Sequence, residues 1–184
     1  MTIPNFITIF RFILVPFVIY ALFKGQTGLA LAGFLIAGIS DAVDGFIARR
    51  YNQRSELGAY LDPIADKLLL VTIFIACGYL GVLPLWLVYA VVSRDAMIVG
   101  AVVLSTIMGN PVEMRPLFIS KMNTAMQIIL AAFVLADLAL VLDYPLIRTF
   151  LVWLVALLTA LSAAAYLVQW LRHMAGFAET DGKS

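Results

Sequence analysis

The sequence predicts an all-α, polytopic membrane protein built as a bundle of six transmembrane helices, and three observations carry that expectation. Hydrophobic residues occupy 64% of the 184 positions and charged residues 12%, and the mean hydropathy is +1.03. Six apolar stretches follow one another, each close to the ~20 helical residues that a bilayer requires. Clusters of Gly, Pro and polar residues separate them. One helical domain over residues 1–184 is expected, without linkers or low-complexity segments, and with a disordered tail at 175–184.

The first stretch runs from Phe6 to Phe23. It begins near Met1 with neither a basic n-region nor an evident cleavage motif, so it reads as a retained helix and not a removed signal peptide. Lys24-Gly25-Gln26-Thr27-Gly28 then marks a turn before the second stretch, Leu29 to Ile47. A charged segment from Arg49 to Leu57 leads into the third, Tyr60 to Leu80, and Gly81 with Pro84 brackets the start of the fourth, Leu83 to Met108. Gly109-Asn110-Pro111 through Pro116 precedes Phe118 to Val141, and Asp143-Tyr144-Pro145 precedes Leu146 to Leu171.

Six spans place the amino terminus, the second and fourth loops and the carboxyl tail on one side. Arg49, Arg50, Arg54, Arg115, Lys121, Arg172 and Lys183 gather there, against Lys24 and Arg148 on the other side, so the positive-inside rule makes the first side cytoplasmic. The net charge of +1 leaves no nucleic-acid footprint. Lone Cys77 excludes an internal disulfide and sits in an apolar span as a packing residue.

Four carboxylates stand out against this background. Asp41 and Asp44 are spaced i,i+3 and Asp62 and Asp66 i,i+4, so each pair shares one face of its helix. Unpaired at mid-bilayer depth, each would cost roughly 2.5–3.5 kcal/mol, so a cation is expected to hold them. The polar segment between them suits a turn that folds one helix back on the other and brings the pairs face to face. Four hard oxygen ligands without a nearby His or Cys favour Mg²⁺ or Mn²⁺ over zinc, and the number of carboxylates suggests two ions. Arg49 and Lys67 offer a competing, purely ion-paired network, but they neutralise only part of the charge. Gly45 and Ala48 lie on the Asp41/Asp44 face, and Gly58 on the Asp62 face. Small residues there either admit a phosphate-bearing ligand to the helix backbones or let two membrane helices pack tightly.

The pattern DxxDGxxAR from Asp41 to Arg49, eight residues, then GxxxDxxxD from Gly58 to Asp66 resembles the signature of the CDP-alcohol phosphatidyltransferase family, and every signature position matches. That family has six transmembrane helices with the site near one membrane face, here the cytoplasmic one. The resemblance implies that Asp41, Asp44 and Asp62 are metal ligands and that Asp66 is both a ligand and the proton acceptor. Gly45, Arg49 and Ser55 would contact the liponucleotide CDP-diacylglycerol, with Gly58 leaving room for the same ligand. Asn5, Thr8 and Arg11 form an NxxTxxR-like stretch that lies beside the nucleotide in the family. On their own chemistry they also suit a helix cap, a backbone-bonded hydroxyl and a snorkelling or ion-paired cation.

The implied reaction is attack by an acceptor alcohol on the lipid-bearing phosphorus of CDP-diacylglycerol, releasing CMP. Ser93-Arg94-Asp95 and the segment from Arg115 to Gln127 resemble the cardiolipin synthases of the family, which favours phosphatidylglycerol as acceptor. The stretch Ala101-Val102-Val103-Leu104-Ser105-Thr106 holds no cation where phosphatidylglycerophosphate synthases usually carry a Leu-Arg-Glu-like element. Arg94, Arg115 and Lys121 are the candidate acceptor-binding residues, and they suit glycerol 3-phosphate as the alternative acceptor. Arg94 with Asp95 also reads as a polar pair between helices, and Arg115 with Lys121 as flanking charge. Membrane lipids and a second copy of the chain, as a homodimer, are the expected partners, in a bacterial-type or mitochondrial inner membrane. A cation or proton transporter built on the same Asp cluster is the alternative of another class; it would extend polar residues across the membrane, whereas Leu29 to Ile39 and Leu68 to Tyr79 are nearly all apolar.

Overall fold

The computed structural model describes the backbone of residues 3–51, 56–107 and 117–181, and the side chains of residues 10–40, 67–107 and 117–173. Over these residues the protein is all helix between its turns: α1 (Ile3–Phe23), α2 (Thr27–Tyr51), α3 (Glu56–Tyr79), α4 (Leu85–Ile107), α5 (Phe118–Leu140) and α6 (Pro145–Asp181). Three of them, over Leu85–Ile107, Phe118–Leu140 and Pro145–His173, are long and apolar enough to cross a membrane. The other three contribute shorter apolar helical segments among the described residues, Phe10–Phe23, Thr27–Ser40 and Lys67–Tyr79.

Two glycines end helices where the chain must reverse within a few residues. Gly25 and Gly81 both adopt φ +72°, a left-handed conformation that costs a residue without Cβ nothing. After each, the next amide closes back onto the helix end, Gln26 N onto Ala21 O at 2.8 Å and Val82 N onto Cys77 O at 2.9 Å, which satisfies carbonyls the helix leaves open. The α5–α6 turn achieves this without glycine. Val141 and Asp143 both sit at φ 52°, and the Asp143 amide donates to Asp137 Oδ1 at 3.0 Å.

Packing then follows the small residues. α1 lies on α2 and α3; α2 meets α5; α3 meets α4 and α5; and α4 and α5 both pack on α6. A Cβ built on Gly33 would stand 2.7 Å from Val18 Cγ2, and one on Gly78 2.7 Å from Val88 Cγ2. Valine side chains of α1 and α4 therefore seat directly on the glycine backbones of α2 and α3 at the α1–α2 and α3–α4 crossings, where small residues leave the room. Val18, Phe74, Leu87, Val134 and Val155 fill the buried interior. Large apolar side chains such as Ile39, Tyr89, Ile107 and Phe150 face outward, as expected of a surface whose solvent is hydrocarbon.

The sixth helix differs from the sequence reading. Its apolar stretch was expected to end at Leu171 with a disordered tail from 175, but the helical backbone continues to Asp181. Met174, Ala175, Ala178 and Glu179 are good helix formers, and a helix already nucleated over several turns extends at little cost.

Candidate functional site

A buried arginine organises the described part of the polar interior. Arg94, halfway along α4, keeps only 3% of its side chain exposed. A guanidinium this deep must have its donors satisfied. Its Nε and Nη2 both donate to Ser162 Oγ of α6, at 3.1 and 2.6 Å. Nη2 also donates to Ser120 Oγ of α5 at 2.5 Å, and Nη1 to Asp95 Oδ1 at 2.6 Å. Its flat cation lies 5.6 Å from the centre of the Tyr166 ring, a cation–π contact. One side chain thus ties three helices together.

Asp95 carries the network onward, because its second oxygen accepts from Lys67 Nζ of α3 at 2.6 Å. The carboxylate is 14% exposed and the lysine 42%. Lys67, Arg94, Asp95, Ser120, Thr124 and Tyr166 line a cavity of 540 Å³ between α3, α4, α5 and α6. A smaller one of 140 Å³, among α2, α3 and α5, shares Lys67 and Thr124 with it. Below the charged group, Thr159 Oγ1 donates to Asn123 Oδ1 at 3.0 Å, so α5 and α6 are also joined by a neutral pair. Trp170 Nε1 donates to Ser105 Oγ at 2.9 Å, joining α6 to the end of α4.

Not all of the residues singled out in the sequence lie where side chains are described. Asp41, Asp44, Gly45 and Arg49 belong to α2, Gly58, Asp62 and Asp66 to α3, and Asn5 and Thr8 to α1, but their side chains lie outside the described residues. Ser55 and Arg115 lie outside the described residues altogether. Helical backbone does run through Asp41–Asp44 and Asp62–Asp66. Among the described residues, no group of three His, Cys, Asp or Glu side chains gathers as a metal site. Arg11 is fully buried in α1. Lys121 is exposed on α5, whereas Arg94 lines the larger cavity. Ser120, Ser162 and Tyr166 were not singled out; a serine or tyrosine in an apolar helix carries no signal until the partner helix is known. Lys67 had shown only as a counter-charge to the Asp cluster.

The fold and this interior define an integral membrane α-helical protein with a charged, cavity-lining network inside its bundle. The CDP-alcohol phosphatidyltransferase profile matches residues 1–169, and the chain belongs to that family. It is 38% identical over 151 residues to a human cardiolipin synthase (CMP-forming), covering 73% of this chain and 50% of the human one. A probable cardiolipin synthase (CMP-forming) of Drosophila melanogaster is 35% identical over 190 residues, covering 94% and 58%. A cardiolipin synthase (CMP-forming) of Streptomyces coelicolor is 36% identical over 104 residues, covering 53% and 48%. The chain thus spans about half the length of these relatives.

Proposed function

We propose that this protein transfers a phosphatidyl group from CDP-diacylglycerol to an alcohol with release of CMP, with phosphatidylglycerol as acceptor and cardiolipin as product. The observation that carries the reading is the complete signature from Asp41 to Asp66, whose second helix, α3, runs on into a cationic cavity, in a chain whose similar proteins include cardiolipin synthases.

In this reading Asp41, Asp44, Asp62 and Asp66 hold two divalent ions, Mg²⁺ or Mn²⁺. When bound, such ions neutralise phosphoryl oxygens and stabilise the leaving group. The chain's own residues do the rest. Asn5, Thr8, Arg11, Gly45, Arg49, Ser55 and Gly58 bind and orient the liponucleotide. The acceptor occupies the cavity between α3 and α6 that Arg94 lines, with Arg115 and Lys121 as further cations for it. Asp66 takes the proton from the acceptor hydroxyl as its oxygen bonds to the lipid-bearing phosphorus. The bond from that phosphorus to the bridging oxygen breaks, and CMP departs with the electron pair.

All six helices span the bilayer in this reading, as a homodimer in an inner membrane, with the amino terminus and the site cytoplasmic by the positive-inside distribution. The test is turnover by the purified protein in detergent–lipid micelles with CDP-diacylglycerol and Mg²⁺ or Mn²⁺. Phosphatidylglycerol and glycerol 3-phosphate are offered separately, and CMP and the lipid product are measured. Cardiolipin formed only from phosphatidylglycerol is the expected result. Phosphatidylglycerophosphate formed from glycerol 3-phosphate would replace the acceptor and keep the reaction class, and no CMP with either would overturn the reading.

A further inference from the structure

Lys67 and Arg94 both face the larger cavity, but their positions differ in kind. All three nitrogens of the Arg94 guanidinium are engaged, with Ser162, Ser120 and Asp95 as acceptors, and its side chain is almost wholly buried. To grasp a ligand it would have to release bonds made in a low-dielectric interior, which costs far more than the same exchange in water. The Lys67 ammonium has three donors and is the accessible cation of the pair, 42% exposed.

Charge points the same way. Asp95 accepts from one cation on each oxygen, so the three side chains together carry one net positive charge, and the part of it that meets the cavity is the lysine head. A phosphate monoester or diester entering there would complete the charge balance with a charge-assisted hydrogen bond. Lys67 also follows Asp66 directly along α3.

We propose that Lys67 is the cation the cavity presents to the acceptor's phosphate, and that Asp95, itself fixed by buried Arg94, is the positioning residue that sets where the ammonium stands. The proposal rests on the reading of this cavity as the acceptor site. Arg94 then serves the acceptor from behind, through Asp95, while keeping α4, α5 and α6 together.

The test is steady-state kinetics of the full chain in mixed micelles, varying the acceptor and CDP-diacylglycerol in turn. Lys67→Gln is expected to raise the acceptor KM roughly tenfold or more, the effect of losing a charge-assisted hydrogen bond, with the KM for CDP-diacylglycerol within about twofold. Lys67→Arg should recover most of the loss. Asp95→Asn should raise the same acceptor KM several-fold, and the double variant Lys67→Gln/Asp95→Asn should be no worse than Lys67→Gln alone. If Lys67→Gln does not yield folded protein, Asp95→Asn and Lys67→Arg carry the comparison. An acceptor KM within twofold of the native value in Lys67→Gln, or in Asp95→Asn where that variant carries the comparison, would overturn the proposal while leaving the cardiolipin reading in place. So would equal changes in both KM values with a lowered thermal midpoint, the mark of a purely structural bridge. If the native chain uses glycerol 3-phosphate, the same measurements are made with that acceptor. Absence of CMP with either acceptor from the native chain would overturn the reading and the proposal together.

Discussion

Arg94 on α4 and Ser162 on α6 are joined by two hydrogen bonds onto a single oxygen, from Nε at 3.1 Å and Nη2 at 2.6 Å. A serine hydroxyl has two acceptor lone pairs, and this one spends both on the same guanidinium. The planar fork of arginine makes that possible; an ammonium has no equivalent.

Ser162→Ala should therefore destabilise the bundle by about 1–3 kcal/mol, because buried donors of a charged group lose their acceptor. Arg94→Lys should be worse than Ser162→Ala, since it also vacates Ser120 and the face of Tyr166. Thermal unfolding of the detergent-solubilised variants checks the order; a lysine variant as stable as the native chain would contradict the role assigned to the fork.

Asp66→Asn should abolish turnover while leaving liponucleotide binding largely intact, because an amide cannot take the acceptor's proton. CMP release measured beside equilibrium binding of CDP-diacylglycerol separates the two. Near-normal release would remove Asp66 as the base.

Complete chelation of divalent ions should stop CMP release, and added Mg²⁺ or Mn²⁺ should restore it, if the four Asp hold metal as their spacing suggests. Undiminished turnover in a preparation shown to be metal-free by elemental analysis would rule the two-metal scheme out.

Gly33→Val and Gly78→Val should each lower stability by roughly 1–3 kcal/mol through overpacking, since even a bare Cβ would meet Val18 or Val88 at 2.7 Å. Gly38→Ala provides the control on the same helix, where a Cβ meets nothing within 4 Å. Both alanine and valine are better helix formers than glycine, so midpoints in Gly33→Val and Gly78→Val no lower than in Gly38→Ala would show that the close crossings carry no cost.

Much of this architecture was legible before any coordinates. The stretch predicted from Phe118 to Val141 is α5 to within one residue (Phe118–Leu140), and the turns at Gly25, Gly81 and Asp143 fall where Gly, Pro and polar clusters marked them. Apolar runs and their punctuation report directly on the cost of placing backbone in lipid, so boundaries set by that cost are readable. The Asp spacing was legible for a related reason: four charges in apolar sequence demand an explanation. The clamp around Arg94 was only half legible. Arg94 and Asp95 announced themselves by their charge, but that Ser162, 68 positions on, is the partner of Arg94 depends on how α4 crosses α6. Serine, threonine and tyrosine are cheap enough in a membrane helix to occur without any polar role, and sequence cannot tell which of them face inward. The end of α6 at Asp181 was not legible, because the tail was read from its place at the chain terminus.

The turn between α1 and α2 also has a consequence for how the protein is made. Three residues, Lys24, Gly25 and Gln26, connect the two helices, and they span at most about 14 Å between helix ends. Gly33 lets Val18 of α1 seat directly on α2. In the six-span reading proposed above, neither helix crosses the bilayer while the other stays behind, so the two leave the insertion machinery as one hairpin during synthesis. The first assembly intermediate of this protein is then a paired unit, α1 already seated on α2, against which α3 and α5 dock as they emerge.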